Sequence, residues 1–195
     1  MSAALILLAA ASPEAHALAT QIAKVTLQPD RVLADSLDQY DRKFEEGVSR
    51  ASAGRTMTPV QLAKKNRAKA AGKAEMSAQL QTTGIPRFLR LIEDEYQQNF
   101  SDVELREAVA FWTSPAGQSL VTAMQDAFKN GSAKVAPPAQ HSVAINRHMT
   151  SAVGRKESAR SALMRPALVR EMSSFMQEVQ PKIDARMRAA MTAAS

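Results

Sequence analysis

The stretch FSDVELREAVAFWTSPAGQSLVTAMQDAF, residues Phe100–Phe128, decides the fold class. Ser101-Asp102-Val103-Glu104 has the pattern of a capping box, in which a serine hydroxyl and a glutamate carboxylate satisfy each other's backbone amides at a helix start. The helix it opens should run through the aromatic pair Phe111-Trp112. Ser114-Pro115 then starts a second helix: serine caps, and proline suits the first helical position because its missing N–H is unpaired there anyway. Leu120, Val121, Met124 and Phe128 carry that helix's apolar side, and Gly131 is its expected C-cap. Gly117, one turn into it, marks a point where two helix backbones approach closely. The whole stretch is two helices joined at a corner.

The same grammar extends in both directions. Leu18–Leu27 reads as a short helix ended by Pro29. From about Asp30 to Arg50, Leu33, Leu37, Tyr40, Phe44 and Val48 recur at spacings of 4, 3, 4 and 4, one face of a helix. Thr58-Pro59-Val60-Gln61 is another capping box. Its helix should reach about Gln81 and stop at Thr82-Thr83-Gly84. Its apolar content is thin (Val60, Leu62, Met76, Leu80), which predicts a peripheral element. Ile85, Leu89, Ile92, Tyr96 and Phe100 form the next stripe. After the break at Pro137-Pro138, residues 139–151 read as helix. A long last helix is expected from about Arg155, with Pro166 and Pro181 as kinks or boundaries. Val169, Met172, Met176, Val179, Ile183, Met187 and Ala190 make its stripe. No alternating segment is flanked by hairpin turns, so strands are not expected. The predicted class is all-α: a single helical bundle with a long kinked C-terminal helix. Trp112–Gln118 is echoed by Met149–Arg155, 37 residues on, as if one helix–serine–glycine corner occurred twice.

The N-terminal end reads as an address. Ala3–Ala11 is AALILLAAA, an uncharged run followed by Ala15-His16-Ala17, the small-residue pattern of a secretory cleavage site. The run is too short to span a membrane, which takes about 20 apolar residues. Residues 1–17 are therefore expected to be a signal peptide cut after Ala17. That leaves 18–195 as one all-α domain in the periplasm or outside the cell. The absence of cysteine excludes zinc ribbons, thiol redox chemistry and a cysteine nucleophile.

The formal charge of +6 permits binding to phosphates or anionic headgroups. Lys64, Lys65, Arg67, Lys69 and Lys73 form the densest basic run, but no aromatic residue lies between Val60 and Gln79. Nucleic acid is thus disfavoured as a partner, because its readers add stacking groups to such patches. A weak contact with an anionic membrane surface stays open. No reactive constellation emerges. His141 and His148 lack a carboxylate nearby in sequence, the closest being Asp126 and Glu157, so a metal site is not expected. The methionines of the last helix suit a core stripe better than a soft-metal site or a flexible groove. Glu93-Asp94-Glu95 and Glu45-Glu46 point apart as neighbours on a helix and read as surface charge. There is no G-x-S-x-G, and Ser114 is explained by capping. Phe111 is expected in the core with Leu105 and Val109, and Trp112 as a buried anchor at the corner. No catalytic, cofactor or metal residue is predicted.

The segment around Ser101, Glu104, Leu105, Phe111, Trp112, Ser114, Pro115 and Gly117 resembles the bacterial domain of unknown function 2059 family. There a Ser/Thr-x-x-Glu-Leu cap precedes an aromatic pair, then Ser/Thr-Pro-x-Gly and an apolar helix. The likeness is tight over about 30 residues and looser from about Arg87 to Phe128. Trp112 stands where tyrosine is commoner, and the long basic C-terminal region is a departure. The resemblance implies an exported, all-helical protein with no assigned activity. Together these readings favour a non-catalytic binding or interaction protein of the cell envelope, holding another protein or an apolar molecule. A peripheral membrane protein and a hydrolase with a site not visible in sequence are the alternatives.

Overall fold

The computed structural model describes residues 12–193 apart from Gly54, Gly131 and Ala133. The run Ala3–Ala11, the expected C-cap Gly131 and the side chain of Phe128 lie outside the described residues. The described residues form eight α-helices and no strand. They are α1 Pro13–Leu27, α2 Pro29–Ser52, α3 Pro59–Gln79, α4 Ile85–Asn99, α5 Asp102–Trp112, α6 Pro115–Lys129, α7 Ser142–Thr150 and α8 Ala152–Thr192. The chain is all-α, as its sequence predicts. It divides into two compact units, and α4 and α8 contribute residues to both.

The first unit takes α1 as far as Thr26, α4 from Leu89, then α5, α6, α7 and α8 as far as Arg165. Both predicted helix starts are built as drawn. Ser101 Oγ accepts from the Glu104 amide while Glu104 accepts from the Ser101 amide. Ser114 Oγ accepts from the Gly117 amide at 3.1 Å. The echoed corner repeats this atom for atom: Ser151 Oγ accepts from the Gly154 amide, also at 3.1 Å. A Cβ on Gly117 would lie 2.1 Å from the Phe111 carbonyl oxygen, and one on Gly154 would lie 2.0 Å from that of His148. Rigid backbone is the obstacle in both cases, so glycine is required by the close passage of two helices.

Helix α1 begins earlier than the expected Leu18. Ser12 Oγ accepts from the Ala15 amide at 3.0 Å, and Pro13 takes the first helical position. Ala15, Ala19, Ile22 and Ala23 are buried.

The second unit holds Leu27–Phe88 and the chain from Pro166 onward. Thr58 and Gln61 form the predicted capping box. The expected stop at Thr82-Thr83-Gly84 does not occur. Leu80–Gly84 is a π turn, and the helix continues from α3 into α4. Pro86 is the physical reason: it cannot donate to the carbonyl four residues back, and a widened turn gives its ring room. Gly84 is no cap there. A Cβ on it would lie 2.9 Å from the Phe175 ring, so glycine admits that ring.

Helix α8 runs unbroken for 41 residues with Pro166 and Pro181 inside it. Its predicted stripe is partly corrected. Val179 and Ile183 are buried, but Met176 and Val169 are exposed, and Phe175 is the large side chain that goes inside, edge-on to Phe88. A 3.6-residue turn lets either 175 or 176 continue the pattern, and the bulkier ring takes the interior.

Three substitutions, two of one sign and one of the other, test this account. Gly154→Ala and Gly117→Ala should each destabilise the protein by roughly 1–3 kcal/mol through overpacking against backbone. Gly47→Ala, in the interior of α2 with open space around it, should stabilise by roughly 0.5–1 kcal/mol. Urea unfolding followed by circular dichroism reads all three. Equal effects at Gly47 and Gly154 would sink the close-passage explanation.

Candidate functional site: a buried carboxylate and a paired basic face

Each predicted corner residue now has a place. Ser101 and Glu104 cap α5, Pro115 opens α6 behind Ser114, and Gly117 lets the α5–α6 corner close. Trp112, at the end of α5, is buried as expected. Phe111 differs from expectation. It is half-buried and stacks on the His148 ring, with centroids 3.6 Å apart and planes within 4° of parallel. Phe111 and His148 are also the residues related by the 37-residue repeat, each supplying the carbonyl its corner glycine passes. Equivalent groups meeting face to face are what a local two-fold relation produces. The two corners therefore pack on each other.

This stacking carries His148 to a carboxylate the sequence could not assign to it. Nine residues along the chain is too far for a helical neighbour, yet the turn from α7 to α8 folds Glu157 back. His148 Nε2 lies 2.6 Å from Glu157 Oε2. The Tyr96 hydroxyl and the Trp112 indole N–H both donate to Glu157 Oε1 at 2.8 Å. Both His148 and Glu157 are buried. Four helices thus meet at one carboxylate: Tyr96 on α4, Trp112 on α5, His148 on α7 and Glu157 on α8. Burial, and next the charge of Glu157, hold the Tyr96 phenol well above the usual tyrosine range, so it stays a donor.

The indole N–H, the phenol and the imidazole were each legible as residues that seek a partner when buried. What the sequence lacked was any sign that one glutamate serves all three. His141 is not part of the cluster. It closes the short 3-10 turn Ala139–His141 with its ring against Gln140. Among the described residues no group of three His, Asp or Glu is placed to hold a metal ion.

Around this centre, ion pairs join neighbouring helices. Lys156 binds the capping carboxylate of Glu104 at 2.8 Å and sits over the Phe100 ring. Arg160 forks onto Glu95, so that member of the acidic run is half-buried and paired rather than free.

In the second unit, the basic run of α3 lies along an acidic edge of α2. Lys65 reaches Glu45 at 2.5 Å, Lys69 reaches Glu45 at 3.0 Å and Asp41 at 3.4 Å, and Lys73 reaches Asp41 at 2.5 Å. Three of the five cations in the run are therefore paired within the fold. Lysine hydrogen bonds hold Asp41 and Glu45 below the usual carboxylate range. A shallow surface depression lined by Glu45, Glu46, Ser49 and Arg50 adjoins this edge.

Residues 86–144 match the family described as "Uncharacterized protein conserved in bacteria (DUF2059)". The likeness noted around residues 100–128 thus holds over a longer stretch. The matched segment contains Tyr96 and Trp112 and ends before His148 and Glu157. No curated protein and no solved structure matches the chain. Among the described residues no helix is long and apolar enough to cross a membrane.

Glu157→Leu should cost at least about 3 kcal/mol, because each buried donor left unpaired costs roughly 1–3 kcal/mol. Glu157→Gln, which keeps an acceptor, should cost less. The single tryptophan reports directly: its fluorescence during urea unfolding gives both numbers, and a leucine variant as stable as wild type would refute the tie.

The pH dependence has a definite sign. Carboxylates with folded pKa values below their ordinary 3.8 and 4.5 contribute stability above those values and lose it as pH falls through the folded ones. Thermal stability should therefore be flat from pH 7 to about 5 and fall below about 4.5, less steeply in high salt. Melts monitored by circular dichroism across that range, at two salt concentrations, check this.

Proposed function

We propose that this chain is exported and works in the cell envelope as a non-catalytic binding protein, holding an apolar partner along α2. One observation carries the reading. Helix α2 is 24 residues long and amphipathic, yet none of its residues is fully buried. Its apolar stripe of Leu33, Leu37, Tyr40, Phe44 and Val48 is left half-covered. The part of this stripe still open to water is unfavourable by about 25 cal/mol for each Å² exposed, and covering it favours association.

Other features lean the same way. The buried carboxylate that a hydrolase would need as acid or base is spent on three donors of its own fold. The basic run that a membrane-surface protein would present is paired with Asp41 and Glu45. The exported location rests on the Ala3–Ala11 run and on the family resemblance.

Native mass spectrometry of the protein isolated from the envelope fraction is the direct test. Wild type should carry a bound protein or lipid-like mass. Leu37→Gln with Val48→Gln should lose it while keeping the wild-type circular dichroism spectrum. A clean, monomeric wild type would overturn the binding reading.

A further inference from the structure

The expected cut after Ala17 conflicts with what residues 12–17 do in the fold. Ser12 caps α1 and donates to Asp102 Oδ2 at 3.2 Å. Glu14 pairs with Arg106 at 2.8 Å on α5. Ala15 is 4% exposed, and His16 Nδ1 lies 2.8 Å from Gln97 Nε2 on α4. Cleavage after Ala17 removes the cap, the ion pair, the His16–Gln97 contact and the buried Ala15. Leu18 would then begin a helix with no cap at all.

A second small-residue pattern lies upstream. Ala9-Ala10-Ala11 ends the apolar run directly before Ser12-Pro13. We infer that the export leader is cut between Ala11 and Ser12, so that the mature chain begins on the capping residue of α1. This rests on the exported reading above and assigns the processing site within it.

Two physical points favour that bond. A residue before proline is driven out of helical backbone, so Ser12 cannot extend α1 toward Ala11. Ser12, on one side of the scissile bond, is thus held out of helical backbone, whereas the Ala17–Leu18 bond lies inside a helix that Ser12 and Pro13 nucleate. The second point is charge. Hydrolysis by a leader peptidase adds one water across the amide, leaving a carboxylate on Ala11 and an ammonium on Ser12. A positive charge at a helix start is unfavourable by itself, but Asp102 already stands at Ser12 and offsets it.

The test uses the full chain expressed in an exporting bacterium, with intact mass read on the extracytoplasmic fraction. The expected mass is that of a chain beginning at Ser12. Ala11→Gln should stop processing and leave the precursor uncut. Ala17→Gln, at an exposed position of α1, should be processed as wild type. A mature chain beginning at Leu18, or processing blocked by Ala17→Gln, overturns this inference and leaves export standing. Uncut wild-type chain confined to the cytosol overturns the exported reading and this inference with it.

Discussion

The first unit depends on one buried carboxylate. Glu157 is taken out of water by its place on α8, and a buried anion is tolerable only where donors surround it. Tyr96, Trp112 and His148 supply those donors from three other helices. Apolar packing alone is non-directional and would allow α4, α5, α7 and α8 to slide past one another. Three hydrogen bonds converging on two oxygen atoms fix their register. The cluster therefore reads as a clamp whose members satisfy one another.

The clamp in turn depends on the doubled corner. In each copy a serine caps the outgoing helix and a glycine lets it pass a carbonyl at contact distance. Phe111 and His148 occupy the same place in the two copies and lie against each other. The copies then diverge where it matters. Glu157 in the second stands where the first has Leu120, and both positions are buried. One corner contributes an apolar wedge and the other an anion, so a near-symmetric pair of corners yields a single polar centre. The matched family segment covers the first corner and stops before the second.

The second unit is held differently. Its α2 and α3 are joined by lysine–carboxylate pairs at a partly exposed edge, and such pairs individually contribute little. The apolar contribution comes from Met76, Leu80, Phe88, Phe175, Val179 and Ile183. Helix α2 adds no fully buried residue to that set. The contrast with the first unit is physical: one is tied by a desolvated polar centre, the other by an apolar seam and surface charge.

The sequence by itself determined most features that are local, the Ser12 start of α1 and the π turn before Pro86 excepted. Capping boxes at Thr58 and Ser101, the Ser114-Pro115 start, the spacing of the α2 stripe and the all-α class depend on residues within four positions of one another. The echo of the corner was legible too, because both copies keep serine and glycine three apart. The run through Thr82–Gly84 misled, since glycine there answers to Phe175, ninety-one residues away. The sequence likewise marked Lys65, Lys69 and Lys73 as cations without showing that Asp41 and Glu45 lie opposite. Only the tertiary structure decided which glutamate meets His148, Tyr96 and Trp112. Burial and hydrogen-bond partners are set by helices packing at large sequence separations, and helical periodicity carries no record of which face of one helix meets which residue of another.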